Sequence, residues 1–359
     1  MTDTTVDHTD LLEKYNPILV LFPQEPETRS RPGARNPGPA GWGDYHPCSA
    51  EFFLHRVQLR TFPPPFDLLG PLRGWRPLQP TGLDTIKKTL GAVQPKETED
   101  WELDVAEIPS QSETKAWRKY GSFLQETDKA EHPYQRVVYG RFFEGPPAVL
   151  QYWYLYIYND FRNNHEADWE MVTIGLSDDD KPMQMGLSGH HGGTWHEWGD
   201  VHTVGDRPVV RVALGSHAGF FEYRPKGYHV LNFSISSNLL GGFALVQSAL
   251  RLLESGLRQM PLFKGWRDLP PADDQLDVGA DPGHTGVRVC PKLRVLPDNL
   301  NQPPDSEWWW LRYGGKWGST RPRFSGAVGI GSPWGIEGEN ERWADPNGWL
   351  ALRREEATS

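Results

Sequence analysis

The 359-residue chain has little cysteine and no long apolar runs, and both shortages narrow its class. Its two cysteines, Cys48 and Cys290, cannot build a multi-disulfide framework, which excludes the small disulfide-stapled scaffolds. No apolar stretch approaches the roughly 20 residues that a transmembrane helix requires. Residues 1–15 lack a basic segment followed by an apolar one. We therefore expect a cytoplasmic protein, with export by a signal-independent route left open.

Basic residues are also in the minority, whereas aromatic residues, glycine and proline are plentiful. The formal net charge is −10 and no Lys/Arg stripe offsets it, so we expect no nucleic-acid partner. The 16 Trp, 12 Tyr and 15 Phe favour β-structure, and 37 Gly with 32 Pro indicate many turns and loops. These frequencies predict a mainly β protein of the α+β class, closer to a sandwich or barrel than to a helical bundle.

The hydropathy pattern changes at about residue 147. We expect residues 1–147 to form an N-terminal α/β segment, either separate or part of the same domain, and residues 148–359 to carry the β-sandwich and a Trp/Gly-rich end. From residue 307 onward we expect strand and loop. The expected helices lie at about 9–15, 112–126 and 241–257. One strand is expected to begin near Ala50, and four more are expected at 148–159, 170–176, 182–188 and 208–216.

Two carboxylates stand close together where one of these strands begins. Asp168 and Glu170 are two residues apart, so both side chains point to one face of the strand. Val172 and Ile174 continue that face and are apolar. Carboxylates beside an apolar face lose solvation and repel each other, and a bound cation relieves both effects. His165, three residues before Asp168, is near enough to bind the same ion directly or through a water.

Two histidines near the ends of the following strands add imidazole groups. In residues 182–193 the alternation of apolar side chains places His191 inward and His190 outward. In residues 208–219, His217 shares a face with small residues that leave room beside its ring. Polar groups that converge at strand ends commonly line pockets. The mixed donor set suits Ca²⁺, Mg²⁺ or Mn²⁺, and Zn²⁺ or Fe²⁺ if the histidines bind directly.

These segments resemble two related families. The stretch 152–176, with HHGG at 190–193 and VALGSHAGFF at 212–221, resembles the vacuolar protein sorting-associated protein 62 family. That resemblance spans roughly residues 145–225. More distantly, NHEADWE at 164–170 is similar to GHRHDWE, the hallmark of the necrosis- and ethylene-inducing-peptide-like cytolysins. The resemblance implies a β-sandwich with flanking helices that binds Ca²⁺ or Mg²⁺.

The resemblance also implies a set of metal ligands and marks where the chain departs from the pattern. The implied ligands are Asp160, His165, Asp168, Glu170, His191 and His217. Asn164, Glu166 and Ala167 replace three hallmark residues, which bears on the cytolytic activity more than on the metal site. The cytolysins are secreted and recognise sphingolipid headgroups on plant membranes. Because residues 1–15 carry no secretory signal, we do not expect a plant toxin.

The favoured function is divalent-metal-dependent recognition of a sugar or lipid headgroup. In this hypothesis one or more of four indole rings stack on the ligand: Trp153, Trp195, Trp198 and Trp310. Core packing is the simpler interpretation of most of them. A lipid headgroup as ligand would bring peripheral contact with a membrane.

Two other functions stay open. The pocket also suits a metal-dependent enzyme, with hydrolysis as the least specific reaction and Glu170 or His217 as general base. A trafficking or membrane-surface protein could use residues 241–257 as an amphipathic anchor, although a core helix is the simpler interpretation. Turnover that requires a metal would identify the enzyme, and saturable binding without turnover would identify the recognition protein.

The assignment of strand faces makes a direct prediction. His191→Ala lowers metal affinity because it removes an inward ligand, whereas His190→Ala leaves the affinity nearly unchanged because that ring points outward. Calorimetric metal titration of the two purified variants measures the difference. Equal losses of affinity in both variants would contradict the assignment.

Overall fold

The computed structural model describes residues 8–21, 47–61, 83–92, 101–105, 135–159, 165–189, 193–212, 217–221, 287–297, 302–303, 305–318 and 340–358. Within these ranges, strand residues outnumber helical residues, which confirms the mainly β, α+β class. The helices are α1 (Thr9–Lys14), α2 (Ala50–Leu54), α3 (Leu83–Gly91), α4 (Asn340–Ala344) and α5 (Pro346–Thr358). The strands are β1 (Ile18–Leu21), β2 (Val57–Thr61), β3 (Trp101–Val105), β4 (Val137–Phe143), β5 (Val149–Asn159), β6 (His165–Leu176), β7 (Pro182–Leu187), β8 (Thr194–Glu197), β9 (Thr203–Val204), β10 (Arg207–Val212), β11 (Gly219–Phe220), β12 (Val287–Val289), β13 (Lys292–Val295) and β14 (Lys316–Trp317).

A six-stranded central sheet runs in the order β13–β4–β5–β6–β7–β8. Strands β4 to β8 pair antiparallel with their neighbours along the chain, and β13 joins β4 in parallel. The strands expected at 148–159, 170–176 and 182–188 are confirmed. Strand β6 begins at His165 rather than at 170, so Asp168 and Glu170 lie inside the strand instead of at its start.

One face of the central sheet packs on a second sheet, in the order β11–β10–β1–β12 with β9 paired to β10. Alternation along β5 turns Leu150, Tyr152, Tyr154 and Tyr156 to this side, where they share a core with Val210 and other residues of the second sheet. Each of these four β5 side chains is at most 2% exposed. Two sheets packed face to face over a shared apolar core form the expected β-sandwich.

The opposite face of the central sheet is also covered. There Trp153, Leu155 and Ile157 of β5 pack in a second core with residues of α2, α3 and α5 and of a third sheet, in the order β14–β3–β2. A strand buried on both faces has little need for alternation of polar and apolar residues. This explains the continuous aromatic and aliphatic run of β5.

Two expectations about individual elements are wrong. A strand was expected to begin near Ala50, but Ala50–Leu54 is helix α2, because Ser49 Oγ accepts a hydrogen bond from the Phe52 N–H at 3.1 Å and caps the first turn. In the C-terminal region strand β14 agrees with the expected strand and loop, but helices α4 and α5 follow where no helix was expected. Helix α5 begins at Pro346, a favoured first position, and the Gly348 N–H donates to Asp345 Oδ1 at 2.8 Å.

The other expected elements are confirmed in part. Helix α1 confirms the helix at about 9–15, and β10 confirms the strand expected from residue 208 as far as Val212. The expected helices at about 112–126 and 241–257 lie outside the described residues. Strands β4 and β5 pair across residue 147, and the division of the chain there stays a prediction. No described helix is long and apolar enough to cross a membrane.

Because the central sheet is covered on both faces, we expect truncation of a core side chain on either face to lower the free energy of unfolding to a similar degree. Leu150→Ala and Leu155→Ala, both at 0% exposed and on opposite faces of β5, each lower the free energy of unfolding by about 2–5 kcal/mol. The control Met183→Ala, at 47% exposed, changes it by less than about 0.5 kcal/mol. Urea unfolding measures all three. A Leu150→Ala cost as small as the control's would contradict burial under the second sheet.

Candidate functional site

Asp168 and Glu170 lie on the face of β6 that meets the second sheet. Val172 and Ile174 continue this face into the shared core, as the alternation predicted. Asp168 is 6% exposed and Glu170 is 8% exposed. A buried carboxylate is costly unless hydrogen bonds or charges compensate it. The two acids therefore require a built polar environment inside the sandwich.

His217 supplies part of that environment from the second sheet's side. It lies between β10 and β11 and is 3% exposed. Its Nδ1 is 2.9 Å from Asp168 Oδ2, within hydrogen-bond distance. Its ring also stacks on Tyr156, with 4.0 Å between ring centroids and 5° between planes. The hydrogen bond and the stack together fix the orientation of the imidazole.

Tyr156 belongs to the site although the sequence analysis did not select it. It stands directly opposite Asp168 in the β5–β6 ladder. Burial raises the pKa of Tyr156 well above its ordinary value, and nearby Tyr154, Glu170 and Asp168 raise it further. The phenol therefore stays neutral, and it gives His217 an uncharged aromatic face. The register of β5 against β6, which a sequence does not state, is the information needed to find it.

Ser188 holds the second carboxylate. Its hydroxyl donates to Glu170 Oε2 and accepts a hydrogen bond from the Met171 N–H at 2.6 Å. The side chain is 1% exposed. Ser188 directly follows β7 and stands three residues before His191, so its closeness to a candidate histidine was the signal available in the sequence. The serine fixes Glu170 relative to the backbone of β6.

Two non-glycine residues at the site have left-handed backbone conformations. Ala167, directly before Asp168, has φ 54°, and His217 has φ 58°. A left-handed conformation costs an L-residue roughly 1–2 kcal/mol. Such strain persists where the surrounding structure holds it, and it concentrates at functional sites. Ala167 directly precedes Asp168, and His217 is within hydrogen-bond distance of Asp168, so both strained residues adjoin this buried acid.

The remaining candidate ligands are not placed by the structure. Asp160 and His191 lie outside the described residues. His165 is described by its backbone, which pairs with Asn159 at the start of β6. Within the described part of the chain, no group of three or more His, Cys, Asp or Glu side chains is arranged to hold a metal ion. The metal site and its six ligands stay predictions.

The four candidate stacking tryptophans fall into two groups. Trp153 is 0% and Trp310 is 1% exposed, and both pack in the core on the side of the third sheet, away from Asp168. Trp195 is half-buried on that same side and donates from Nε1 to Gln184 Oε1 at 2.9 Å. Trp198 is half-buried against the core between the two large sheets, edge-on to Tyr15 at 5.9 Å. Trp153 and Trp310 are thus buried core residues, and the stacking role of the four tryptophans stays a prediction.

No protein-family model matches the chain, and no curated protein matches it in sequence. Among solved structures it is weakly similar to NLPPya in complex with mannosamine, at 19% identity and a TM-score of 0.21, over 24% of this chain and 43% of that one. It is also weakly similar to necrosis- and ethylene-inducing protein 2 from the causal agent of witches' broom disease of cocoa, at 18% identity and a TM-score of 0.21, over 27% of this chain and 51% of that one. The non-toxic HaNLP3 protein matches at 20% identity and a TM-score of 0.20, over 22% and 40%.

The chain thus covers about half or less of the length of these three proteins. At such TM-scores the likeness is weak, and it assigns neither a family nor a function. The resemblance to the vacuolar protein sorting-associated protein 62 family stays a prediction.

The stack of His217 on Tyr156 predicts a spectroscopic signature. In the wild type the Tyr156 ring current shifts the His217 ring protons upfield, Tyr156→Phe keeps the shift, and Tyr156→Leu removes it because the aromatic face is lost. Proton NMR measures the effect, with the His217 signals assigned by their disappearance in His217→Gln. Identical His217 signals in the wild type and in Tyr156→Leu would contradict the stacked geometry.

Proposed function

We propose that the chain binds a divalent metal ion at Asp168 and Glu170 and uses the ion to recognise a sugar or lipid headgroup. The supporting observation is the buried Asp168–His217 pair, with Glu170 on the same face of β6. Two acids at 6% and 8% exposure, two residues apart on one strand, carry a desolvation and repulsion cost that a cation relieves. Their positions at the junction of two sheets would hold the ion rigidly.

The donor chemistry of these residues fits a divalent cation. Each carboxylate has two oxygens, so it can accept a hydrogen bond and bind a metal at the same time. His217 orients Asp168 through Oδ2, and Ser188 orients Glu170 through Oε2. Hydrogen bonds of this kind to metal-binding groups fix their direction and tune their affinity. With carboxylate oxygens as the direct ligands, Ca²⁺ or Mg²⁺ is the proposed ion.

The same residues allow a second arrangement with a different ion. A metal-binding histidine commonly donates its other ring N–H to a carboxylate, and the contact between His217 Nδ1 and Asp168 Oδ2 has that form. In this arrangement Nε2 of His217 faces the metal, which favours Mn²⁺ or Zn²⁺. Asp160, His165 and His191 are the proposed further ligands in either arrangement.

Recognition would rest on the bound ion. A protein-bound cation can take hydroxyl or phosphate oxygens of a ligand on its open side. Trp198 is half-buried on the same side of the central sheet as Asp168, but the pairing of β6 with β7 and of β7 with β8 places it level with Leu176, at the other end of β6. An aromatic contact to a ligand on the ion would therefore come from other residues. For a lipid headgroup, the protein would meet its ligand at a membrane surface.

A metal-dependent enzyme is the second candidate, and the Asp168–His217 pair favours it specifically. An imidazole held by a buried carboxylate is a common way to orient a general base. His217 would accept a proton from water or substrate, Asp168 would stabilise the charged ring, and Glu170 would serve as an alternative base. Hydrolysis is the simplest reaction for such a set, with the metal polarising the substrate when bound.

Metal content gives the first test of the proposal. Purified, untagged wild type should retain about one equivalent of a divalent ion, and Asp168→Asn/Glu170→Gln should lose it, because neutral amides are poorer ligands for hard cations. Inductively coupled plasma mass spectrometry gives both values. The matched control Glu197→Gln/Asp206→Asn makes the same charge change at exposed positions and should keep the ion.

Incubation with Ca²⁺, Mg²⁺, Mn²⁺ and Zn²⁺ before measurement completes the experiment. A wild type that takes up none of the four ions would refute the proposal and leave the cluster a structural polar network. With a metal found, saturable glycan or vesicle binding that a chelator abolishes supports recognition. Metal-dependent turnover of the bound compound would favour the enzyme instead.

A further inference from the structure

Glu166 sits two residues before Asp168 yet faces the opposite layer of the protein. Its side chain is 0% exposed, and Oε2 accepts a hydrogen bond from the Val105 N–H at 2.8 Å. Val105 is the last residue of β3 in the third sheet. Asp168 meets His217 on the side of the second sheet. In a regular strand, residues two apart share a face, so the alternation is broken between them.

The break lies at Ala167. In the ladder between β5 and β6, Tyr158 pairs with Glu166 and Tyr156 pairs with Asp168, and the register of the ladder passes over Ala167 between them. Ala167 has φ 54°, a conformation that L-residues rarely adopt. This left-handed residue turns the strand so that Glu166 reaches the third sheet while Asp168 faces the second.

The backbone of Glu166 also lies close to the third sheet. Gly318 directly follows β14 and has φ 97°. A Cβ atom there would lie 2.2 Å from the Glu166 carbonyl oxygen, so glycine is required for this close approach. Strand β14 pairs with β3 at Glu102 and Leu103, and the Glu166 carboxylate accepts the hydrogen bond of Val105 two residues beyond. The side chain of Glu166 is therefore hydrogen-bonded to the third sheet, and its backbone lies in close contact with Gly318.

We infer that Glu166 is a positioning residue: its anchor on Val105 holds Ala167 in the left-handed conformation and so sets the direction of the Asp168 carboxylate toward His217. The positioning of Asp168 is argued from geometry alone. Its expected effect on metal affinity rests on the proposed function. It gives a role to one of the residues at which this chain departs from the cytolysin hallmark.

Substitution of Glu166 tests the inference with two readouts in the full-length protein. Glu166→Ala removes the acceptor, so it should shift the His217 ring-proton signals and weaken Ca²⁺ or Mn²⁺ binding by about 10-fold to 100-fold, as loss of an orienting partner does. Glu166→Gln keeps an oxygen acceptor for the Val105 N–H and should rescue both readouts. If Glu166→Ala does not fold, Glu166→Asp, whose side chain is one methylene too short, replaces it.

A control separates positioning from plain destabilisation. Leu103→Ala removes a side chain at 0% exposure from the core side of β3. It should lower thermal stability while leaving the His217 signals unchanged. If Glu166→Ala lowers stability as Leu103→Ala does and leaves both readouts at their wild-type values, the inference is overturned. If Glu166→Ala shifts the His217 signals and the wild type binds none of Ca²⁺, Mg²⁺, Mn²⁺ and Zn²⁺, positioning stands and the proposed metal function fails.

Discussion

A carboxylate buried between two sheets has to be compensated, and the compensation of Asp168 organises one end of this sandwich. The acid meets His217 at 2.9 Å, the histidine stacks on Tyr156, and Tyr156 stands opposite Asp168 in the same sheet. His217 thus contacts both of the other side chains, which stand opposite each other on neighbouring strands. The second sheet can approach β6 here because His217 lies within hydrogen-bond distance of the buried Asp168 carboxylate where the sheets meet.

The third sheet positions the first residues of β6, which lead to Asp168. Strand β6 is buried on both faces, so each of its side chains must match the layer it meets. Glu166 is bound to the third sheet, Asp168 to the loop after β10, and left-handed Ala167 allows the change of side. The strain of that residue is retained because anchors lie on both sides of it. The same arrangement that stabilises the three layers thereby directs a carboxylate into the candidate site.

The fold class and the central strands could be predicted because burial on both faces leaves a clear mark in sequence. The aromatic run of β5 and the alternation of Asp168, Glu170, Val172 and Ile174 are such marks, and both are confirmed. Helix α2 was missed because one local hydrogen bond, from the Phe52 N–H to Ser49, outweighs the β-propensity of adjacent phenylalanines. Helix α5 was missed in a region whose Trp and Gly content favoured strand and loop.

The partners within the site were harder to predict than the acids themselves. The position of Tyr156 depends on strand register, that of Ser188 on where β7 ends, and the turn of Glu166 toward the third sheet on a single φ angle. None of these follows from alternation, which assumes regular extended backbone. Burial of Trp153 and Trp310 depends on which layer covers each face, and a sequence pattern alone does not supply that information.

Anomalous diffraction from crystals soaked in Mn²⁺ tests most directly whether this end of the sandwich is a metal site. We expect one strong anomalous peak within bonding distance of the Asp168 and Glu170 carboxylates, close to the His217 ring. Crystals that show no peak there, or a peak at exposed carboxylates instead, would contradict the proposed metal site and leave the Asp168–His217 pair as a structural contact between two sheets.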